Sequence, residues 1–390
     1  ALETAKYARE GRKVMIVVVT DEKGDDLPVL DEALDLVKRH KMAVYVMGPA
    51  APFGKEQIRV PWVDPETGQK YSLPVDVGPE TVLVEHARLG IWNKGPGVAS
   101  LTSGFGPYGL TRMTHENGGL YLLNRENRLE GPEFEVHKMV PYHPDYVTPT
   151  EYTQRVTKNP MRLAVLRTAQ ISNELLSEPL QTLYYSGGIQ FEIRGIKKDL
   201  DALSSMLDKS MGELGSVEKL RSKEMSRRWI AHYDLLMGRL FANQIRILSC
   251  SSLLEEMYNK PKAPKDGTKN AWELVGDTKT ALVNIEPDPA KKDQPVELAR
   301  EHLQRVIGDH PDTPWAYIAQ RELEFPLIFH WQEAFMEPPA GEKLPWDKAP
   351  WEELTERQKE AKTAYDKRKA VRKRRTKPTA GVKKRPPPKL

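Results

Sequence analysis

The chain has one cysteine in 390 residues, Cys250. A lone thiol excludes an internal disulfide and any cysteine-ligated zinc cluster, and it leaves the compartment of the protein open. No apolar run approaches the roughly 20 residues that cross a bilayer as a helix. The short signatures of common chemistries are absent as well: there is no His-Glu-x-x-His, and no serine lies in Gly-x-Ser-x-Gly. Without a nucleophile, a base or a cofactor loop, the residues point away from an enzyme. Acidic residues are missing from one stretch, 367–390, which carries twelve Lys or Arg and no Asp or Glu. Removing those twelve from the net charge of +4 leaves −8 on the first 366 residues, so this is an acidic body with a basic tail.

What is present begins at 13–26, KVMIVVVTDEKGDD. Residues 14–19 are a β-branched apolar run of the kind buried on both faces of a parallel sheet. Thr20, Asp21, Glu22, Asp25 and Asp26 stand at its carboxyl end, where α/β sheets bind ligands. A helix is expected before it, over 1–11 with Gly11 as C-cap, and another after it over 31–41. The strand 43–47 then completes a βαβ unit. Residues 55–77 alternate around Asp64-Pro65-Glu66-Thr67-Gly68 and read as an inserted β-hairpin. A helix over 110–116, Gly118-Gly119 and a strand over 120–123 end an α/β portion at about 124.

The Pro- and Tyr-rich stretch 125–159 reads as a surface linker, and helix dominates beyond it. Asn159-Pro160 opens a helix to about 176. Ile193, Ile196, Leu200, Leu203, Leu207, Leu214 and Val217 follow heptad spacing. Gly212 and Gly215 interrupt that run, with Ser216 as cap of a second helix to about 259. Ile230, Tyr233, Met237, Leu240, Ile247 and Leu254 continue a seven-residue repeat there. A heptad seam fits an intramolecular hairpin or a dimer, and because Gly212 and Gly215 offer a place to turn the domain over 160–260 is expected to be an antiparallel helical hairpin. Residues 261–294 read as an irregular connection with a short helical piece around Trp272. In 295–336 a helix pair joined by Asp309-His310-Pro311-Asp312-Thr313 is similar to one tetratricopeptide unit, read as a cap on the bundle because a single unit cannot bury its own face. A Pro-rich linker over 337–350 precedes a charged helix and a basic, disordered tail in 351–390.

Gly104-Phe105-Gly106-Pro107-Tyr108-Gly109 matches G-x-G-x-x-G but lacks the preceding strand that a dinucleotide site needs, and reads as a turn feeding a helix. His137 and His143 read as surface residues and Cys250 as a small packing residue.

The succession of helix, apolar strand, Thr20-Asp21, acidic turn, amphipathic helix and strand, with the later GLTRMTHENGGLYLL of 109–123, resembles the second half of a von Willebrand factor type A (vWA) domain over about 1–124. The resemblance implies a doubly wound, Rossmann-like α/β sheet, here incomplete and carrying the hairpin insertion, followed by the mostly α-helical domain. It also implies a metal-ion-dependent adhesion site for Mg²⁺ or a similar cation, to which only Asp21 corresponds by position. The Asp-x-Ser-x-Ser motif of that site is not in the chain, so the expectation is a fragment lacking the first half of the domain, against a degenerate domain that dispenses with metal. One carboxylate alone binds Mg²⁺ weakly. Without its neighbours, strand 14–19 would form an exposed apolar edge.

The resulting expectation is a non-enzymatic adhesion or scaffold protein whose partner offers an acidic side chain to the metal. The alternative is a protein associated with nucleic acid or an anionic membrane through its basic tail. That tail lacks the interleaved aromatics of sequence-specific nucleic-acid recognition.

Overall fold

The computed structural model describes residues 12–24, 27–65, 68–92, 101–124, 132–176, 179–338, 343–347 and 349–375, together with Thr4, Lys6 and Tyr7. Most of the helix expected over 1–11, Asp25, Asp26 and the tail beyond 375 lie outside the described residues. The fold is mixed α/β, 55% helical, with small sheets and long helices.

The α/β head is a three-stranded parallel sheet of β1 (Met15–Val19), β2 (Ala43–Gly48) and β5 (Tyr121–Leu123), in the order β1-β2-β5. Between β1 and β2 runs α1 (Leu30–Arg39), whose Leu34 and Val37 face inward. Its charges complement the helix dipole, with Asp31 and Glu32 in the first turn and Lys38 and Arg39 in the last. The inserted hairpin forms as expected from β3 (Gln57–Val63) and β4 (Lys70–Asp76). Helix α2 (Tyr108–Glu116) precedes β5. Gly118 turns the chain with φ +69°, and a Cβ on Gly119 would collide with the Val44 carbonyl, so the return to the sheet needs both glycines. Both helices lie on one sheet face: Val37, Leu36, Leu110 and Met113 pack there on Ile16, Val18, Val44 and Val46.

The stretch expected to be a surface linker carries helices over 132–159 that send several side chains into the core, while 125–131 lie outside the described residues. Tyr142 is buried, and α3 (Pro149–Lys158) inserts Tyr152 and Val156 into the interior. Thr148 caps it by accepting from the Glu151 N–H, with Pro149 in the first turn. Asn159 does the same for α4 (Pro160–Leu175), accepting from the Met161 and Arg162 amides. After β6 (Leu183–Tyr185) come α5 (Ile189–Ser216) and α6 (Arg227–Asn259). Their antiparallel pairing shows in the contacts: Gln190 donates to the Tyr258 carbonyl, Lys197 meets Glu255, and Tyr233 donates to the Leu214 carbonyl. Helix α5 passes straight through Gly212 and Gly215, and the turn falls later, at a 3₁₀ segment Glu218–Lys223. Gly212 and Gly215 meet no neighbouring atoms where a Cβ would stand, so nothing there forces a break.

Two strands contradict the helical reading around Trp272 and add a sheet to the helix pair of 295–336. β7 (Ala271–Gly276) pairs antiparallel with β6 and with β8 (Phe329–Ala334). Helices α7 (Pro295–Asp309) and α8 (Pro314–Glu324) pack on α6, in the capping position expected of them. A last helix, α9 (Glu356–Arg375), starts and ends later than the charged helix expected over 351–370. Helix α6 is buried on all sides over 231–240 and is the centre of the molecule. Residue 124 bounds no separate core, since Phe53 and Leu101 of the head are buried with Ala231, Leu235, Leu303 and Trp315 of the helical part.

Candidate functional site

The acidic turn after β1 is held by its neighbours. The Thr20 amide donates to the Met47 carbonyl (3.0 Å), the Glu22 amide to Thr20 Oγ1 (3.2 Å), and Lys23 pairs with Asp76 on the hairpin (2.7 Å). Asp21 is exposed, and among the described residues it belongs to no group of three or more His, Cys, Asp or Glu able to share an ion. Mg²⁺ requires near-octahedral oxygen ligation. The described residues around Asp21 do not fit a tight Mg²⁺ site, and no step of function is derived through one.

One cluster with ligating atoms within 4.8 Å of one another does occur elsewhere: Asp234, Asp309 and His310. Its carboxylates are already engaged. Arg221 holds Asp234 through both oxygens (2.9 Å from Nε to each) and reaches Asp309 at 3.2 Å, while Arg305 approaches Asp234 at 3.3 Å. Burial works to raise the Asp234 carboxyl, but His302 and Arg221 outweigh it and hold it down. Burial lowers His310 to about 4, and its Nδ1 hydrogen-bonds the Tyr142 hydroxyl at 3.0 Å. A cation would have to displace guanidinium groups here, so the cluster is an ion-pair knot tying the α5–α6 turn to the α7–α8 turn.

A second polar network lies at the centre of the molecule. Arg228 on α6 donates to Glu85 (2.5 Å) and Glu80 (2.7 Å), which come from the loop after the hairpin. Tyr152 donates to the other oxygen of Glu85 at 2.9 Å. Trp315 Nε1 donates to His232 Nδ1 at 3.2 Å, which places the His232 proton on Nε2, 3.5 Å from Glu85. Further along α6, Arg239 and Arg246 both engage Glu322 of α8, and Arg239 also meets His86 at 3.2 Å. Burial tends to raise Glu85, yet Arg228 and His232 pull it down to about 2, whereas burial lowers His232 to about 4 and His86 well below its ordinary value. Glu80 moves the other way, because its burial outweighs its share of Arg228. The sequence reading missed this network. His232, Arg239 and Arg246 recur at seven-residue intervals beside the apolar repeat, and that was the available signal.

The feature that differs from an ordinary interior is the second face of the parallel sheet. Residues 14–19 are of the type buried on both faces, and, as expected of such a strand without its neighbours, β1 is an edge strand among the described residues with its outward residues bare: Met15 is 61% exposed, Val17 58% and Val19 75%. Register extends the patch across the sheet, since Val19 lies opposite Met47 and Met47 opposite Leu122. Leu120, Leu122 and Met47 are also exposed. Parallel sheets are covered on both faces in nearly all folds, because their strands are apolar on both sides. β1 also lacks the Lys, Pro or bulge that normally protects an edge.

No protein family, curated protein or solved structure matches the chain. Among the described residues no helix is long and apolar enough to cross a membrane.

Proposed function

We propose that the chain is a non-enzymatic interaction protein, vWA-like in its α/β head, that engages another polypeptide through the bare face and free edge of the parallel sheet. The observation that carries this reading is the run of alternate residues Met15, Val17 and Val19, all more than half exposed on an unprotected edge strand. Contiguous apolar surface of this kind marks an interaction site in a soluble protein. An edge strand supplies main-chain donors and acceptors for strand addition, and the alternating side chains supply specificity. The helical body, fixed to the head through Arg228, Glu80 and Glu85, serves as the rigid support. In a vWA-type site a divalent cation at Asp21 would need oxygen ligands beyond the described residues, so the sheet surface is the docking element in this chain.

The test is the size of the assembly isolated from the cells that make the protein. Wild-type chain should migrate as a complex, and Val17→Lys/Val19→Lys should release it as a folded monomer. A variant that keeps the wild-type complex contradicts the reading.

A further inference from the structure

A cavity of about 530 Å³ opens beside β5, between α2 and the segment 132–146. Its size falls in the range of small-molecule sites, which are apolar clefts carrying a few polar groups. Aromatic rings supply much of its wall: Phe105, Tyr121, Phe134, His143 and Tyr146, with His115 at the mouth. His115, His143 and Tyr146 form a mutual cluster, the His143 and Tyr146 rings perpendicular at 4.5 Å and the two histidine rings 5.4 Å apart. Val136, Val140 and Leu122 add aliphatic surface at the rim, each exposed.

The polar groups define the class of occupant. Among the described residues no Lys or Arg lines the cavity, and the one charged wall residue is Glu133. An anion would therefore enter without a counter-charge and beside a carboxylate, which is unfavourable. The Gly104–Gly109 loop on its border offers little to a phosphate, because the Phe105 amide donates to Ser103 Oγ and the Tyr108 amide to the Pro79 carbonyl. His143 lies 2.9 Å from the Pro144 carbonyl through Nδ1, which must carry the proton and leaves Nε2 as an acceptor. Burial lowers the His143 pKa, which keeps that acceptor available at neutral pH. Tyr146 and Thr111 also line the site, and the hydroxyl of each is buried with no hydrogen-bond partner.

We propose that this cavity binds a free, uncharged aromatic molecule carrying an N–H or O–H donor, stacked among Phe105, His143 and Tyr146 with the donor directed to His143 Nε2. The site adjoins the sheet surface, sharing Leu122 with it, and differs from it in chemistry.

The experiment titrates 5-fluoroindole into the full chain by ¹⁹F NMR, with 5-fluoroindole-3-acetate as the anionic comparison. The expected result is saturable binding with Kd below about 1 mM and binding of the carboxylate at least about tenfold weaker. Val136→Trp, at an exposed rim position, should fill the mouth and weaken fluoroindole at least about tenfold, while Val63→Trp on the hairpin should leave it unchanged. His143→Ala should weaken fluoroindole but affect fluorobenzene, which has no donor, much less. Equal binding to Val136→Trp and wild type, or equal affinity for the anion, would overturn the proposal, as would failure to saturate. All three variants change exposed residues, and an unchanged urea midpoint establishes that each is folded. The sheet reading fails independently, on the complex tested with Val17→Lys/Val19→Lys.

Discussion

Arg228 Nε donates to Glu85 Oε2 across 2.5 Å, although the two residues are 143 positions apart and both side chains are almost wholly buried. The contact fastens the loop that follows the inserted hairpin to the central helix of the bundle. Removing one member of such a pair strands a charge in the interior. Arg228→Met is therefore expected to destabilise the protein by about 3–5 kcal/mol in urea unfolding, with much of that recovered when Glu80→Gln and Glu85→Gln are added. A loss below about 1 kcal/mol for Arg228→Met would show that the network is not what joins the two parts.

Acid should loosen the same junction. His232 is held to about 4 by burial, against about 6.5 when free. Between these values the unfolded chain binds a proton that the folded chain does not, so stability is full above about pH 6.5 and falls as pH drops towards 4. On the order of 2 kcal/mol is lost from His232 alone between pH 7 and 5. His86 and His310 are lowered in the same direction. Glu85, held at about 2 from its ordinary 4.5, contributes stability that is present above 4.5 and lost as pH falls towards 2. The urea midpoint measured at pH 7 and pH 5 should drop in wild type and drop less in His232→Gln. A pH-independent midpoint over that interval would contradict the assignment.

Much of the local structure was legible from side-chain chemistry. Asn159-Pro160 announces α4, and the β-hairpin and the β1-α1-β2 unit follow from periodicity, whereas the antiparallel α5–α6 pair was expected from a turn at Gly212 and Gly215 and forms although the turn falls later. Thr148-Pro149 carries the same capping signature as Asn159-Pro160 but was obscured by the Pro- and Tyr-rich run before it, so α3 was read as linker. β7 has only six residues between Lys-rich flanks, too few for a period to separate strand from helix, and its partners β6 and β8 are 86 and 53 residues away in register. The burial of Glu85, Arg228 and Arg239 was not legible, because charged residues are ordinarily exposed and their partners are set by tertiary packing. At the head, the apolar run is a strand of the type covered on both faces, and its exposure is that expected of such a strand without its neighbours.

Metal should matter little to this chain by itself. Calorimetric titration with Mg²⁺ is expected to show no tight site, and Asp21→Ala should match wild type in that titration. Tight binding abolished by Asp21→Ala would mean that ligands beyond the described residues complete the site.

Cys250 offers a check on the central helix. It is buried on α6 and its thiol is pushed up to about 12 by burial. A thiol reagent at neutral pH should leave it unmodified until denaturant unfolds the helix. Rapid modification of the native protein would contradict the packing described here.

The central claim is that another polypeptide covers the bare face of the parallel sheet, and the most direct measurement places a photo-crosslinking residue at Val17 in the cells that make the protein. The account predicts a discrete crosslinked polypeptide from Val17, with none from the same residue at Val63 on the hairpin or Val283 on the helical body. No crosslink at Val17, or the same products from all three positions, would contradict it.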